Sequence, residues 1–331
     1  MKVFRLLFAA MALTAVFSAC TPQGEAYIFT SFREPSVQGM QYLYSLDGFH
    51  WDTLGGVWMA PQIGNEEPYI DAFSGRQVTP KFCPTHVLRD PSVIQGPDGT
   101  FHLVWTTAWS GSRGFGYASS KDLIHWSEQR EIKVMPDTAT NNVWAPELFY
   151  DDEKDEFLII WSSAIHPRDY TEADRLGTNG CHRPYYTKTK DFQTFTPARP
   201  YYDCGFNSID GYLVKRAKDD YVLVIKDNRK PGFSNLFCAY ASSPEGPFGN
   251  PSQTFAPTYS EGPCVVRIGD EWIIYYDVYR EGRYGATATK DFQTFTPADD
   301  RISVPKGHKH GTIVKITRRQ LRALQKAAAR Q

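Results

Sequence analysis

The 331-residue sequence has no C-x-x-C pair, no H-E-x-x-H, no G-x-S-x-G and no glycine loop of the kind that cradles nucleotide phosphates. These absences remove a paired-thiolate metal site, a zinc-protease helix, a serine nucleophile elbow and an ATP-type site from consideration. Charge of one sign is also missing: 36 Lys and Arg stand against 37 Asp and Glu, a net of -1. Nothing in that balance suggests an electrostatic grip on nucleic acid. Long apolar runs are absent except at the start, where Lys2 and Arg5 precede Leu6 to Phe17. That run is too short to span a bilayer and reads as the h-region of an export signal.

The segment "FSAC" closes the signal with small residues before Cys20. It resembles a bacterial lipoprotein box, which makes 1–19 a signal peptide and Cys20 the lipidated first residue of the mature protein. Ordinary signal cleavage is the alternative. The expected location is therefore outside the cytoplasm, on a bacterial membrane, at the cell surface or in the periplasm, with the lipid at Cys20 as the sole membrane contact. Five further cysteines, Cys83, Cys181, Cys204, Cys238 and Cys264, lie in a chain destined for a disulfide-permitting compartment. Cys238 and Cys264 fall in apolar stretches and read as core residues. Cys181–Cys204 is a candidate bridge.

What the sequence does have is a repeat. "TKDFQTFTPA" occurs at 189–198 and again at 289–298, with looser copies "SLDGFHW" (45–51), "SKDLIHW" (120–126) and "SSPEGPF" (242–248). Between them the order is constant: an opening strand, a polar turn, a continuously apolar strand such as "FHLVWTT" or "FLIIWSS", then a third strand. Continuous apolarity suits strands covered on both faces. Regular copies of such antiparallel units describe an all-β protein, a β-propeller. "AYIFTSF" (26–32) lacks an opening strand and "HGTIVKI" (310–316) lacks a follower. Pairing the two closes a five-bladed ring with strands from both termini and removes an exposed sheet edge. The tail after it reads as a short surface helix, and residues 20–331 as a single domain.

Asp90, Glu147, Asp210 and Glu261 each head an opening strand, 11, 10, 11 and 11 residues before Phe101, Phe157, Tyr221 and Trp272, and His310 holds the fifth such place. If opening strands line the axis, these residues converge on one mouth. One Asp before Pro or Gly is usually a turn former, but Glu is not, and crowded like charges cost stability unless they serve a site. Trp109 and Trp144 are candidate sugar platforms near the same mouth. Arg283 is a candidate hydroxyl or carboxylate ligand. Lys226 and Asp227 read as surface charge. The long stretch 52–89 is a candidate wall for the pocket.

The motifs "RDPSV" (89–93), "WAPEL" (144–148), "SIDG" (208–211), "SEGP" (260–263) and "HG" (310–311) resemble glycoside hydrolase family 43 across most of the mature chain. The resemblance implies a five-bladed propeller that hydrolyses glycosides with inversion. It implies Asp90 as general base, Asp210 as the carboxylate that tunes the acid, and Glu261 as general acid. Glu147 joins Trp109, Trp144, Arg283 and His310 as a substrate-binding candidate. Gly211 stands where proline commonly follows the modulator, and Glu147 where Asp is common. No cofactor is required. An axial histidine, here His310 with His308 as the alternative, is implied beside a water or a structural calcium ion. Inverting hydrolysis needs one carboxylate to deprotonate water and one carboxylic acid to protonate the leaving oxygen, about 6.5–9.5 Å apart. The expected substrate is an oligo- or polysaccharide, and the expected activity that of an exo-acting α-L-arabinofuranosidase. β-Xylosidase, exo-β-galactosidase and a non-catalytic carbohydrate-binding propeller are the alternatives. A fructan-active enzyme would need an "NDPNG"-like motif, which the sequence lacks.

Overall fold

The computed structural model describes residues 24–64, 69–70, 77–78, 86–165, 180–229 and 232–331. The signal segment and Cys20 lie outside the described residues, as does most of the stretch between 65 and 85.

Five antiparallel sheets surround one axis, as the repeat predicts. Blade 2 runs Arg89–Gln95, Phe101–Thr106, Gly114–Ser120, Arg130–Lys133 from the axis outward. Blade 3 runs Trp144–Asp151, Glu156–Ser163, Arg183–Thr189, Arg199–Pro200. Blade 4 has three strands, Ser208–Ala217, Asp220–Asp227 and Asn235–Ala241. Blade 5 runs Ser260–Ile268, Glu271–Val278, Arg283–Thr289, Thr296–Pro297. Blade 1 is the composite: Ile313–Thr317 is its inner strand, followed by Glu25–Ser31, Met40–Ser45 and Trp51–Met59. The closing pair is antiparallel, with Glu25 opposite Thr317 and Phe29 opposite Ile313. The helix α1, Arg318–Ala328, follows directly. Its first turn carries a reciprocal cap between Thr317 and Gln320, and it buries Leu321 and Leu324.

The core is divided into five apolar clusters, one at each junction between neighbouring blades. Strand periodicity explains why the middle strands are apolar throughout. Phe157, Ile159 and Trp161 face blade 2, whereas Leu158 and Ile160 face blade 4. Tyr221, Leu223 and Ile225 face blade 3, whereas Val222 and Val224 face blade 5. A polar residue at any of these positions would be buried on one side or the other.

The repeated hairpin has a local cause. Thr189 Oγ1 accepts from Phe192 N at 2.8 Å, and Asp191 Oδ1 accepts from Gln193 N and Thr194 N at 2.8 Å. The side chains thereby satisfy backbone donors in a tight turn. The turn holds Phe192 at φ 54° and sends it into the neighbouring junction, stacked on His102 and Tyr117 of blade 2. Thr289, Asp291 and Phe292 reproduce it, with Phe292 against Trp272. Ser120, Asp122 and Leu123 do the same with smaller chemistry.

The Cys181–Cys204 bridge does not form: Cys204 carries a thiol, which donates to the Phe206 carbonyl at 3.5 Å. Cys238 and Cys264 are buried, as expected. Of the stretch 52–89, Trp51–Met59 supplies the outer strand of blade 1, and a small pairing of Tyr69–Ile70 with Gln77–Val78 stands apart from the blades.

Candidate active site

The heads of four inner strands share one distortion. Pairing skips between Arg89 and Ser92, Trp144 and Glu147, Ile209 and Tyr212, and Glu261 and Cys264. Each skip is a β-bulge with one extra residue on the inner strand. The residue after the first pair is left-handed in every case: Asp90 at φ 51°, Ala145 at 46°, Asp210 at 57° and Gly262 at 60°. Aspartate tolerates this conformation better than most residues. The bulge turns its side chain out of the ladder toward the axis.

This geometry corrects the single register expected for the four acids. Asp90 and Asp210 are equivalent, but Glu261 precedes the bulge residue by one and Glu147 follows it. Glu147 is equivalent to Ser92, Tyr212 and Cys264, one step further down the axis. It is buried, and its Oε2 accepts from Thr312 Oγ1 at 3.3 Å. Burial pushes its carboxyl up to about 8, against the opposing pull of His310, Ser92 and Thr312. Glu147 is thus a protonated floor residue below the cavity rather than part of its wall.

The other strand heads border a cavity of about 290 Å³. Asp90, Asp210, Glu261 and His310 share it, with Trp109 and Trp144 along one side. Asp90 is held at both oxygens: Thr106 Oγ1 donates to Oδ2 at 2.8 Å, and His310 Nδ1 lies 3.2 Å from Oδ1. Burial opposes its ionisation, but His310, Arg89 and Thr106 outweigh that and hold the carboxyl well below the usual range. Asp210 is buried and accepts from Gly262 N at 3.1 Å. Burial, together with the negative charges of Glu261 and Asp90, raises its carboxyl despite His310 and Lys226. Glu261 goes the other way: Lys226, Lys309 and His310 outweigh burial and lower it. Lys226 Nζ donates to Glu261 Oε2 at 2.8 Å.

Lys226 is a cavity-lining residue whose place sequence reasoning missed. It was read as surface charge but is 2% exposed. The signal was available in register: Thr106, Ser162, Lys226 and Asp277 each pair with an inner-strand head, and each is a polar residue at or next to the end of an apolar strand. Thr106 holds Asp90, Lys226 holds Glu261, and Asp277 Oδ2 accepts from His310 N at 3.1 Å. Arg89, Glu34, Asn228, Tyr279 and Lys309 complete the wall and were also not foreseen.

Trp109 lies under the Arg89 guanidinium at 3.9 Å and accepts, through its carbonyl, from Trp144 Nε1 at 2.9 Å. Trp144 in turn stacks on His182 at 4.6 Å. The two indoles are therefore held in fixed positions beside the cavity. Arg283 is displaced from its expected place. Glu281 and Asp299 hold it at 2.7 and 2.9 Å, and it borders a neighbouring cavity rather than this one. His310 sits at the centre as expected. Burial lowers its pKa, but Asp90, Asp210 and Asp277 together raise it to about 9, so the ring is an imidazolium at neutral pH. Among the described residues no group of three or more His, Cys, Asp or Glu is arranged to hold a metal ion.

Comparison with known proteins follows the same line. A family model described as "Probable glycosyl hydrolase domain", related to family 43, matches residues 23–322. A curated relative, an α-L-arabinofuranosidase of Bifidobacterium longum subsp. longum, is 26% identical over 196 residues, which is 52% of this chain and 18% of that protein's length. Among solved structures, a thermostable family-43 glycoside hydrolase superposes with a TM-score of 0.53 at 15% identity, covering 67% of this chain and 78% of that one. The catalytic domain of a GH62 α-L-arabinofuranosidase from Coprinopsis cinerea gives 0.50 at 14% identity, covering 76% and 79%. These structural likenesses bear on the fold. With the family model spanning nearly the whole propeller, the chain belongs to the glycosyl hydrolases related to family 43.

Proposed function

We propose that the protein is an inverting exo-glycosidase that removes terminal sugars from oligo- or polysaccharides, with α-L-arabinofuranosidase as its activity. One observation carries this reading: Asp90, Asp210 and Glu261 face a single small cavity, and their surroundings split their proton affinities. Acid–base catalysis by paired carboxyls requires such a split. The cavity lies at the small end of ligand pockets, which run roughly 300–1,000 Å³. That size favours a terminal sugar over an internal segment.

In this mechanism Asp90, ionised and oriented by Thr106 and His310, takes a proton from the attacking water. Glu261 delivers a proton to the leaving oxygen. The Lys226 ammonium lowers the proton affinity of Glu261, while burial and the neighbouring negative charges raise that of Asp210. A sugar oxygen entering between Lys226 and Glu261 weakens that ion pair, so that Glu261 can take up the proton it delivers. The backbone bond from Gly262 keeps Asp210 beside the acid.

The test is product stereochemistry by NMR on aryl arabinofuranosides, xylosides and galactosides. The inverted anomer should appear first on one of these, and initial release of the retained anomer overturns the mechanism. Glu261→Gln should lose far more activity on natural disaccharides than on activated aryl glycosides. Equal, small losses on both would remove Glu261 from the acid role. The export reading of residues 1–20 belongs to the same proposal. Fatty-acid labelling that disappears in Cys20→Ala is expected, and export without lipid overturns the anchor.

A further inference from the structure

A second cavity, of about 390 Å³, adjoins the first and shares Glu34, Tyr279 and Lys309 with it. It lies on the Glu261 side. Its wall includes Asp277, which pairs with Glu261 across the sheet, and Lys309, whose ammonium stands 3.8 Å from Glu261 Oε1. A group leaving with Glu261's proton departs toward this space.

The cavity's chemistry is cationic. Arg33 Nε donates to Gln41 Oε1 at 3.0 Å, and its Nη2 donates to His308 Nε2 at 2.8 Å. His308 is buried, and burial together with the charge of Arg33 pulls it down to about 4, so the ring is neutral. Its Nδ1 then donates to Ser31 Oγ, 2.7 Å away. Arg33 is thus locked in place by two uncharged partners that leave its charge uncompensated. Lys309 is held only loosely, 3.7 Å from Glu34 and 3.8 Å from Glu261. Glu34 is itself engaged by Arg89 at 2.7 Å. The remaining acid, Asp277, is 2% exposed, and its Oδ1 has no partner among the described residues. Burial raises its carboxyl to about 7, so below that pH it offers a proton rather than a repelling charge. A fixed guanidinium, a loosely held ammonium and a neutral acid together match a carboxylate on a hydroxylated ring.

We propose that this cavity is the leaving-group subsite and that it takes a uronic acid residue, its carboxylate bound by Arg33 and Lys309. The inference rests on the exo-glycosidase reading, and the experiment separates the two. Two oligosaccharides with the same terminal sugar and linkage are compared, one with a uronic acid next to the scissile bond and one with that carboxyl reduced to the alcohol. The ratio of kcat/KM, acidic over neutral, should be about 10 or more, as one charge-assisted pair gives. It should fall to about 1 in Arg33→Met, chiefly through KM, and recover in part in Arg33→Lys. A ratio near 1 in the native protein, or one unchanged by Arg33→Met, overturns the subsite while leaving cleavage itself intact. If no glycoside is cleaved, the exo-glycosidase reading fails and binding decides the subsite. Saturation-transfer NMR with glucuronate and galacturonate against glucose and galactose should then show Arg33-dependent contact with the acids, and its absence overturns the proposal.

Discussion

Lys226 illustrates how much one side chain sets at this site. It is fully surrounded, and despite burial its ammonium is stabilised by Glu261 and Asp210, which raise its pKa. Its ion pair makes Glu261 the weaker proton binder of the two carboxyls. In Lys226→Met that preference should relax: Glu261 loses its 2.8 Å partner and its affinity for a proton rises. The alkaline limb of the kcat/KM profile on a natural disaccharide, whose leaving oxygen needs the acid's proton, should therefore move to higher pH, and an unmoved limb would separate Lys226 from the acid. Stability should also fall, by roughly 1–3 kcal/mol, because the partly exposed Glu261 loses its nearest charge partner and keeps only Lys309 and His310.

At the scale of elements, the strand that closes blade 1 should matter more than the helix after it. Ile313–Thr317 covers one edge of Glu25–Ser31 over five residue pairs. A chain ending at Gly311 would present that edge to solvent and should elute as oligomers or aggregates by size exclusion. A chain ending at Thr317 keeps the edge covered and should stay monodisperse, losing the packing of Leu321 and Leu324 and the bonds of Arg318 to Glu25 and of Gln331 to Gly56. This closure was legible in the sequence, because "AYIFTSF" and "HGTIVKI" each lack the strand that the other supplies. The blades were legible too, since a capped turn such as Thr189–Asp191–Phe192 must use the same residue types wherever it recurs. The bulges were not. One inserted residue at the head of each inner strand leaves the spacing to the next aromatic nearly constant, so Glu147 and Glu261 looked equivalent to Asp90. Lys226 was obscure for a related reason: a polar residue ending an apolar strand looks solvent-facing until the axis is known. Arg283 was misjudged because no pattern announces that Glu281 and Asp299 already hold it.

The whole molecule carries several buried groups whose protons are held more tightly when folded. Glu147 at about 8, Asp277 at about 7 and His310 at about 9 all lie above their ordinary values. Each contributes stability that is complete below the unfolded value and is lost as pH rises through the folded one. The window runs from 3.8 for Asp277, 4.5 for Glu147 and 6.5 for His310 up to about 9. Asp90 acts in the opposite sense, giving stability above its unfolded value that is lost in strong acid. The melting temperature should thus peak in mild acid and fall toward pH 9. Glu147→Gln, a neutral isostere, should flatten that fall by on the order of 3 kcal/mol at pH 9, and an unchanged slope in thermal melts would show that Glu147 does not hold its proton.

The composite blade has a mechanical consequence. Because Glu25 and Thr317 are opposite partners, both polypeptide ends leave from the same end of one antiparallel pair. Tension between the ends would first peel α1 away, then part that pair one rung at a time, like a zipper, instead of loading all its bonds at once. A ring held together by five apolar junctions would thus yield to a gentle pull at its seam.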